Sequence, residues 1–173
     1  MTATKLPEVW LRGPLPGILP ALQPVAHALL QAREELNEIM HDFPAALLWV
    51  RPAGMASAGF HLQHMTGVLD RLFTYANAQM LSETQLNWLA AEGKIPERPV
   101  TTDELVQYFN RQVAHAIASI GATPGAHLFD ARGVGRAQIP TTVMGLMVHA
   151  AEHTMRHLGQ LLVTVKVVSQ QGQ

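Results

Sequence analysis

The chain has no cysteine among its 173 residues. That excludes disulfides, thiolate–zinc sites, covalently attached c-type haem and a catalytic thiol of the protein's own. Charge is sparse too: 14% of residues are charged, twelve basic against thirteen acidic, with no Lys/Arg cluster. The electrostatic footprint of a nucleic-acid binder is missing, so no nucleic-acid partner is expected. No run of about 18 apolar residues exists, and the start Met1-Thr-Ala-Thr-Lys5-Leu-Pro7 lacks the apolar centre of a signal peptide. A cytoplasmic protein without a membrane partner is expected. No segment alternates as a strand bounded by turns; the nearest, Val163 to Val168, continues a helical pattern. Paired carboxylates for acid–base work, a Gly-rich phosphate loop and a nucleophile elbow are absent as well.

What remains is helical periodicity. A hydrophobic fraction of 48% over 173 residues suits one folded domain with a real core. Residues 1–17 carry Pro7, Pro14, Pro16, Gly13 and Gly17 and read as an irregular arm. A first helix, opening near 18 or 24 and ending before Pro44, follows from Val25, Leu29, Leu30, Leu36 and Ile39. A linker at Arg51-Pro-Ala-Gly54 precedes a second helix over about 57–81, with a stripe of Leu62, Met65, Leu69, Leu72, Ala76 and Met80. Ser82-Glu-Thr-Gln85 is a capping box opening a short helix to Ala90. Thr101-Thr-Asp-Glu104 is another, starting a third long helix that ends at Gly121. Residues 122–139 read as loop, and Pro140 suits the first turn of a fourth long helix running to about 168, with 169–173 a flexible end. Four long helices and a short one between the second and third imply an all-α, four-helix bundle over residues 18–168.

The informative feature is a histidine series, His149, His153 and His157, at four-residue spacing. Neighbours in such a series stack on one helix face, where two imidazoles can grip one metal ion. His149 lies about 12 Å along the axis from His157, so all three cannot serve one ion. Spacing leaves 149/153 and 153/157 as alternatives. Leu146, Ala150, His153, His157, Gln160 and Thr164 follow the seam pattern of a bundle core, which puts two imidazoles where leucines normally pack. A buried polar ring costs roughly 1–3 kcal/mol unless partnered, and a shared metal supplies the partner. Core histidines bonded to carbonyls or hydroxyls are the bland reading. A second pair, His61 and His64, stands some 90 residues earlier at i and i+3.

Other metal patterns fit less well. His149-Ala-Ala-Glu152-His153 matches the inverted zinc-peptidase signature, but no Asp or Glu follows Glu152, and Arg156 stands ready as its i+4 ion pair. A di-iron carboxylate site needs two Glu-x-x-His motifs, and only Glu38-Ile-Met-His41 is present.

With Phe60-His-Leu-Gln-His64 on the second helix and His153-Thr-Met-Arg-His157-Leu-Gly-Gln160 on the fourth, the chain resembles the DinB-like superfamily of metal-binding four-helix bundles. The resemblance spans about residues 18–168. It implies His64, His153 and His157 as metal ligands, with His61 and His149 as secondary candidates. Leu158 stands where many members carry a basic residue. Three imidazoles leave open positions on a divalent ion, a catalytic style of site, and the donor type suits Zn, Ni or Fe alike. The implied function is a metal-dependent enzyme that transfers a low-molecular-weight thiol to an electrophilic small molecule. The alternative is a non-catalytic metal- or ligand-binding bundle with a stability or stress-sensing role. Arg132, Arg136 and Tyr75 are weaker candidates for the site mouth. Met147, Ala151, Leu158, Leu162 and Val165 give the fourth helix a second apolar side, which suggests a homodimer.

Overall fold

Helix starts are written in caps and prolines, and the computed structural model, which describes residues 6–171, uses them. Helix α1 (Gln23–Met40) follows a 3-10 turn at Pro20–Leu22 and carries Pro24 in its first turn, where the missing N–H has no partner to lose. Ser57 caps α2 (Ala58–Ala76), its hydroxyl accepting from the Phe60 N–H at 3.2 Å. The short α3 (Glu83–Ala91) and long α4 (Thr102–Ala122) open on the two capping boxes, Ser82/Gln85 and Thr101/Glu104. Helix α5 (Val143–Gln171) is the longest, and Thr142 Oγ1 accepts the Gly145 N–H at 3.0 Å at its start. The expected flexible end is thus helical as far as 171; residues 172–173, like 1–5 of the arm, lie outside the described residues.

The long helices pack so that α2 lies against α4 and α5, while α1 lies against the same two. Their apolar stripes meet in one core that includes Leu29, Leu36, Leu62, Leu69, Phe109, Ile120 and Leu158. Truncating one such leucine to alanine removes about 2–5 kcal/mol. The short α3 buries no residue fully and packs on α2, with the half-buried Trp88 donating from Nε1 to the Gln63 carbonyl at 3.0 Å. The described part of the arm, residues 6–17, is irregular apart from a 3-10 turn at Val9–Arg12, yet it is docked: Arg12 pairs with Glu34 through two 2.7 Å hydrogen bonds.

Two expectations are corrected. The segment 122–139 is not all loop. Strands β1 (Ala131–Val134) and β2 (Ile139–Thr142) form an antiparallel hairpin, with Pro140 opposite Gly133 rather than inside a helix. A two-stranded sheet has only edges, so a proline costs it little, and α5 begins three residues later than Pro140 implied. Second, α2 stops at Ala76 instead of 81, because Ala78 adopts φ 56, the left-handed conformation that ends a helix. The second apolar side of α5 is covered within the chain: Met147, Ala151, Leu158 and Val165 are buried and Leu162 half-buried, with α1 packed on α5. No helix among the described residues is long and apolar enough to cross a membrane.

Candidate metal centre

Two helices supply the histidines. On α2, His61 and His64 are separated by three residues; on α5, His153 and His157 by four, so each pair projects from consecutive turns. Packing of α2 on α5 brings the pairs face to face. Nε2 of His64 lies 3.0 Å from Nε2 of His153, and Nδ1 of His61 lies 3.2 Å from Nδ1 of His157. One ring nitrogen each from His64, His153 and His157 falls in a group whose members are all within 4.8 Å of one another. Phe60 closes one side, stacked on His64 at 5.1 Å between centroids and 12° between planes.

His64 is oriented from outside the triad. Its Nδ1 lies 2.6 Å from Oε2 of Glu92, and Oε1 of Glu92 accepts from Arg71 Nη1 at 2.6 Å. A carboxylate can only accept, so a proton sits on Nδ1, and in the neutral ring Nε2 then has its lone pair for a metal or a neighbouring N–H. Glu92 reaches this place because the residues after α3 are tied to α2: Gly93 N–H donates to Gln63 Oε1 at 2.9 Å. Gly67 clears the space. A β-carbon there would lie 2.7 Å from Trp88 and 2.6 Å from Arg71 Nη1, and would collide with Glu92 Oε1.

Burial favours the neutral form of His61, His153 and His157, the form that ligates. His61 and His157 are each pushed down to about 4, first by burial and then by the neighbouring His64. His153 is lowered too, by burial and then by His64, His149 and Arg156, with Glu152 opposing. Nδ1 of His153 is buried without a hydrogen-bond partner, so that ring has a polar stake only through Nε2. Two Nε2 atoms 3.0 Å apart can share one proton or turn both lone pairs to one cation. A set of neutral imidazoles with one ring fixed by a carboxylate fits a divalent ion.

The structure brings together four of the five histidines singled out from sequence. His61 bonds to His157 and is 2% exposed, a supporting position. His149 is exposed and bonded to Glu152 at 2.8 Å. Those two and His153 also form a compact group, but Glu152 is shared with Arg156 at 2.8 Å, and the first two side chains face water. Of the mouth candidates, Arg132 donates from Nε to the Ala76 carbonyl at 2.7 Å, closing the end of α2 twelve residues (about 18 Å along the axis) from His64. Tyr75 is buried in the core near that same end, and Arg136 is exposed in the hairpin turn. Glu92, Arg71 and Gly67 went unnoticed in the sequence, where nothing in their spacing marks them.

A mainly helical protein with histidines converging from two long helices is the class that this fold and site define. The chain belongs to the DinB superfamily, whose family model matches residues 28–161. A crystal structure of a conserved protein from Enterococcus faecalis has the same fold, with a TM-score of 0.68 and 19% identity over 88% of this chain and 99% of that one. A 7-methyl-GTP pyrophosphatase of Rhizobium johnstonii is 27% identical over 114 residues, covering 58% of this chain. The chain spans about half the length of that curated relative, 56% of it.

Proposed function

We propose that the four long helices form a DinB-type four-helix bundle in which His64, His153 and His157 hold one divalent ion for catalysis on a small molecule. The observation that carries this reading is the meeting of three ring nitrogens within 4.8 Å, from helices about 90 residues apart. Burial of their surroundings and the Glu92 contact to His64 support it. An ion with open positions lowers the pKa of a water or thiol that it binds, supplying a nucleophile near neutral pH.

The chain's own residues do the rest. Glu92 holds the proton on His64 Nδ1, Arg71 holds Glu92, and His61 braces His157. Phe60 covers one face of His64 and limits water there. Zn, Ni and Fe all suit the donor set.

For the reaction, thiol transfer to an electrophile is our first reading. It is supported by the family's chemistry and by a chain without cysteine, in which a co-substrate must bring the sulfur. The pyrophosphatase likeness favours a second reading, hydrolysis of a nucleotide pyrophosphate by water at the same centre. Elemental analysis of the purified protein comes first, with His153→Ala as the control. Metal-loaded protein is then offered thiols with electrophiles, and separately nucleoside triphosphates. Thiol-dependent loss of electrophile that vanishes in His153→Ala supports transfer, and pyrophosphate release supports hydrolysis. A bound ion with neither activity would make the centre structural.

A further inference from the structure

Beside the triad the surface opens into a cleft of about 680 Å³ between the loop preceding α2 and the outer side of α5. Met55 on the loop and Val163 on α5 line it, and they are 68% and 65% exposed. Phe60 and His61 line it as well, and both touch the triad, Phe60 on His64 and His61 on His157. The cleft therefore adjoins the two side chains that pack against the candidate metal centre.

Gly159 gives the cleft its room. It sits within α5, where glycine costs roughly 1 kcal/mol relative to alanine. A β-carbon there would meet nothing within 4 Å, so no packing among the described residues requires the glycine. Leaving the position bare keeps space for something from outside. Among the described residues, Arg156 is the only formally charged side chain lining the cleft. Its Nη2 is shared with Glu152 at 2.8 and 3.2 Å, while Nε and Nη1 have no partner among the described residues.

We infer that this cleft seats the substrate of the metal centre: a small molecule with an apolar, ring-sized or branched body and one anionic group. The body lies between Met55 and Val163, across Gly159, and the anion meets the free edge of Arg156. This rests on the metal-centre reading above. A small molecule is the occupant, rather than a second copy of the chain, because the cleft is concave and runs to side chains in contact with the triad, one of them only 2% exposed.

The test uses two probes on the full chain with Zn²⁺ present. One is 8-anilinonaphthalene-1-sulfonate, an apolar body with one anion; the other is uncharged N-phenyl-1-naphthylamine. Both should bind saturably with blue-shifted emission. Gly159→Leu should weaken both about tenfold or more, since it fills the cleft while favouring helix. Arg156→Gln should weaken only the sulfonate, by about tenfold. Val163→Asp, at an exposed position where folding is not at risk, should weaken the uncharged probe as well. Unchanged affinities in folded Gly159→Leu and Val163→Asp overturn the proposal. So does light scattering in which wild type is a dimer and Gly159→Leu a monomer, because the cleft is then an interface between copies. Zn²⁺ uptake is measured separately. Uptake without cleft-dependent probe binding overturns this inference alone; cleft-dependent binding without uptake overturns the metal-centre reading, and the substrate assignment with it.

Discussion

His64 has two ring nitrogens, and the hydrogen bond from one decides whether the other can donate a lone pair. Glu92 makes that bond at 2.6 Å, and Arg71 steadies the carboxylate. Partners of this kind usually contribute ten- to a hundredfold in metal affinity. Glu92→Gln should therefore weaken Zn²⁺ or Ni²⁺ binding by about that factor, read by calorimetry, with helicity unchanged. Gly67→Ala should produce a similar loss without altering any ligand, because its β-carbon displaces Glu92 and Arg71. Unaltered affinity in both would remove Glu92 from the account. The histidines themselves were legible in the sequence, since two stacked imidazoles on a core seam ask for a shared partner. Glu92 was not. Its contact depends on α3 folding back over α2, and that depends on Trp88 and Gly93 reaching Gln63, which no periodicity records.

At the scale of elements, the sequence marked starts better than stops. Ser82 with Gln85 and Thr101 with Glu104 are local chemistry, readable from four residues each, and both boxes form. The end of α2 has no such mark. Its left-handed residue is Ala78 at φ 56, where glycine would have announced the stop. The hairpin was hidden for a related reason: it has four-residue strands, and a proline that reads equally well as the opening of a helix. A non-glycine residue in the left-handed region costs roughly 1 kcal/mol. Ala78→Gly should thus raise the denaturation free energy by about 0.5–1 kcal/mol, measured in urea. Ala78 is exposed and its backbone N–H bond to the Tyr75 carbonyl survives the change, so little opposes the gain. A loss of stability would show that the αL strain is relieved elsewhere.

For the molecule as a whole, the facing rings tie α2 to α5, and on the proposed reading the same rings couple stability to protons and metal. In the metal-free protein, burial holds His61 and His157 at about 4, against about 6.5 in the unfolded chain. Between those values the unfolded state binds more protons, so stability is complete above about pH 6.5 and falls as the pH drops toward 4. Thermal midpoints in chelator from pH 8 to 4 should show that decline, and a His61→Leu/His157→Leu variant should flatten it. Parallel declines would mean that other groups carry the acid sensitivity. A metal bound at the proposed site would act in the opposite direction. An ion bound to neutral rings from two helices binds the folded state and not the dispersed chain, so it stabilises by about 2.7 kcal/mol at a hundredfold excess over its dissociation constant. Protons compete for the same nitrogens, which makes that increment shrink as the pH falls. Adding Zn²⁺ at pH 7.5 should therefore raise the melting temperature by several degrees, and at pH 5 by much less. His64→Ala or His157→Ala should remove most of the shift at pH 7.5, while His149→Ala, exposed and bonded to Glu152, should leave it in place. If His149→Ala abolished the shift and His64→Ala did not, the ion would belong to the His149, Glu152 and His153 group on α5, and the bridge between the helices would be lost.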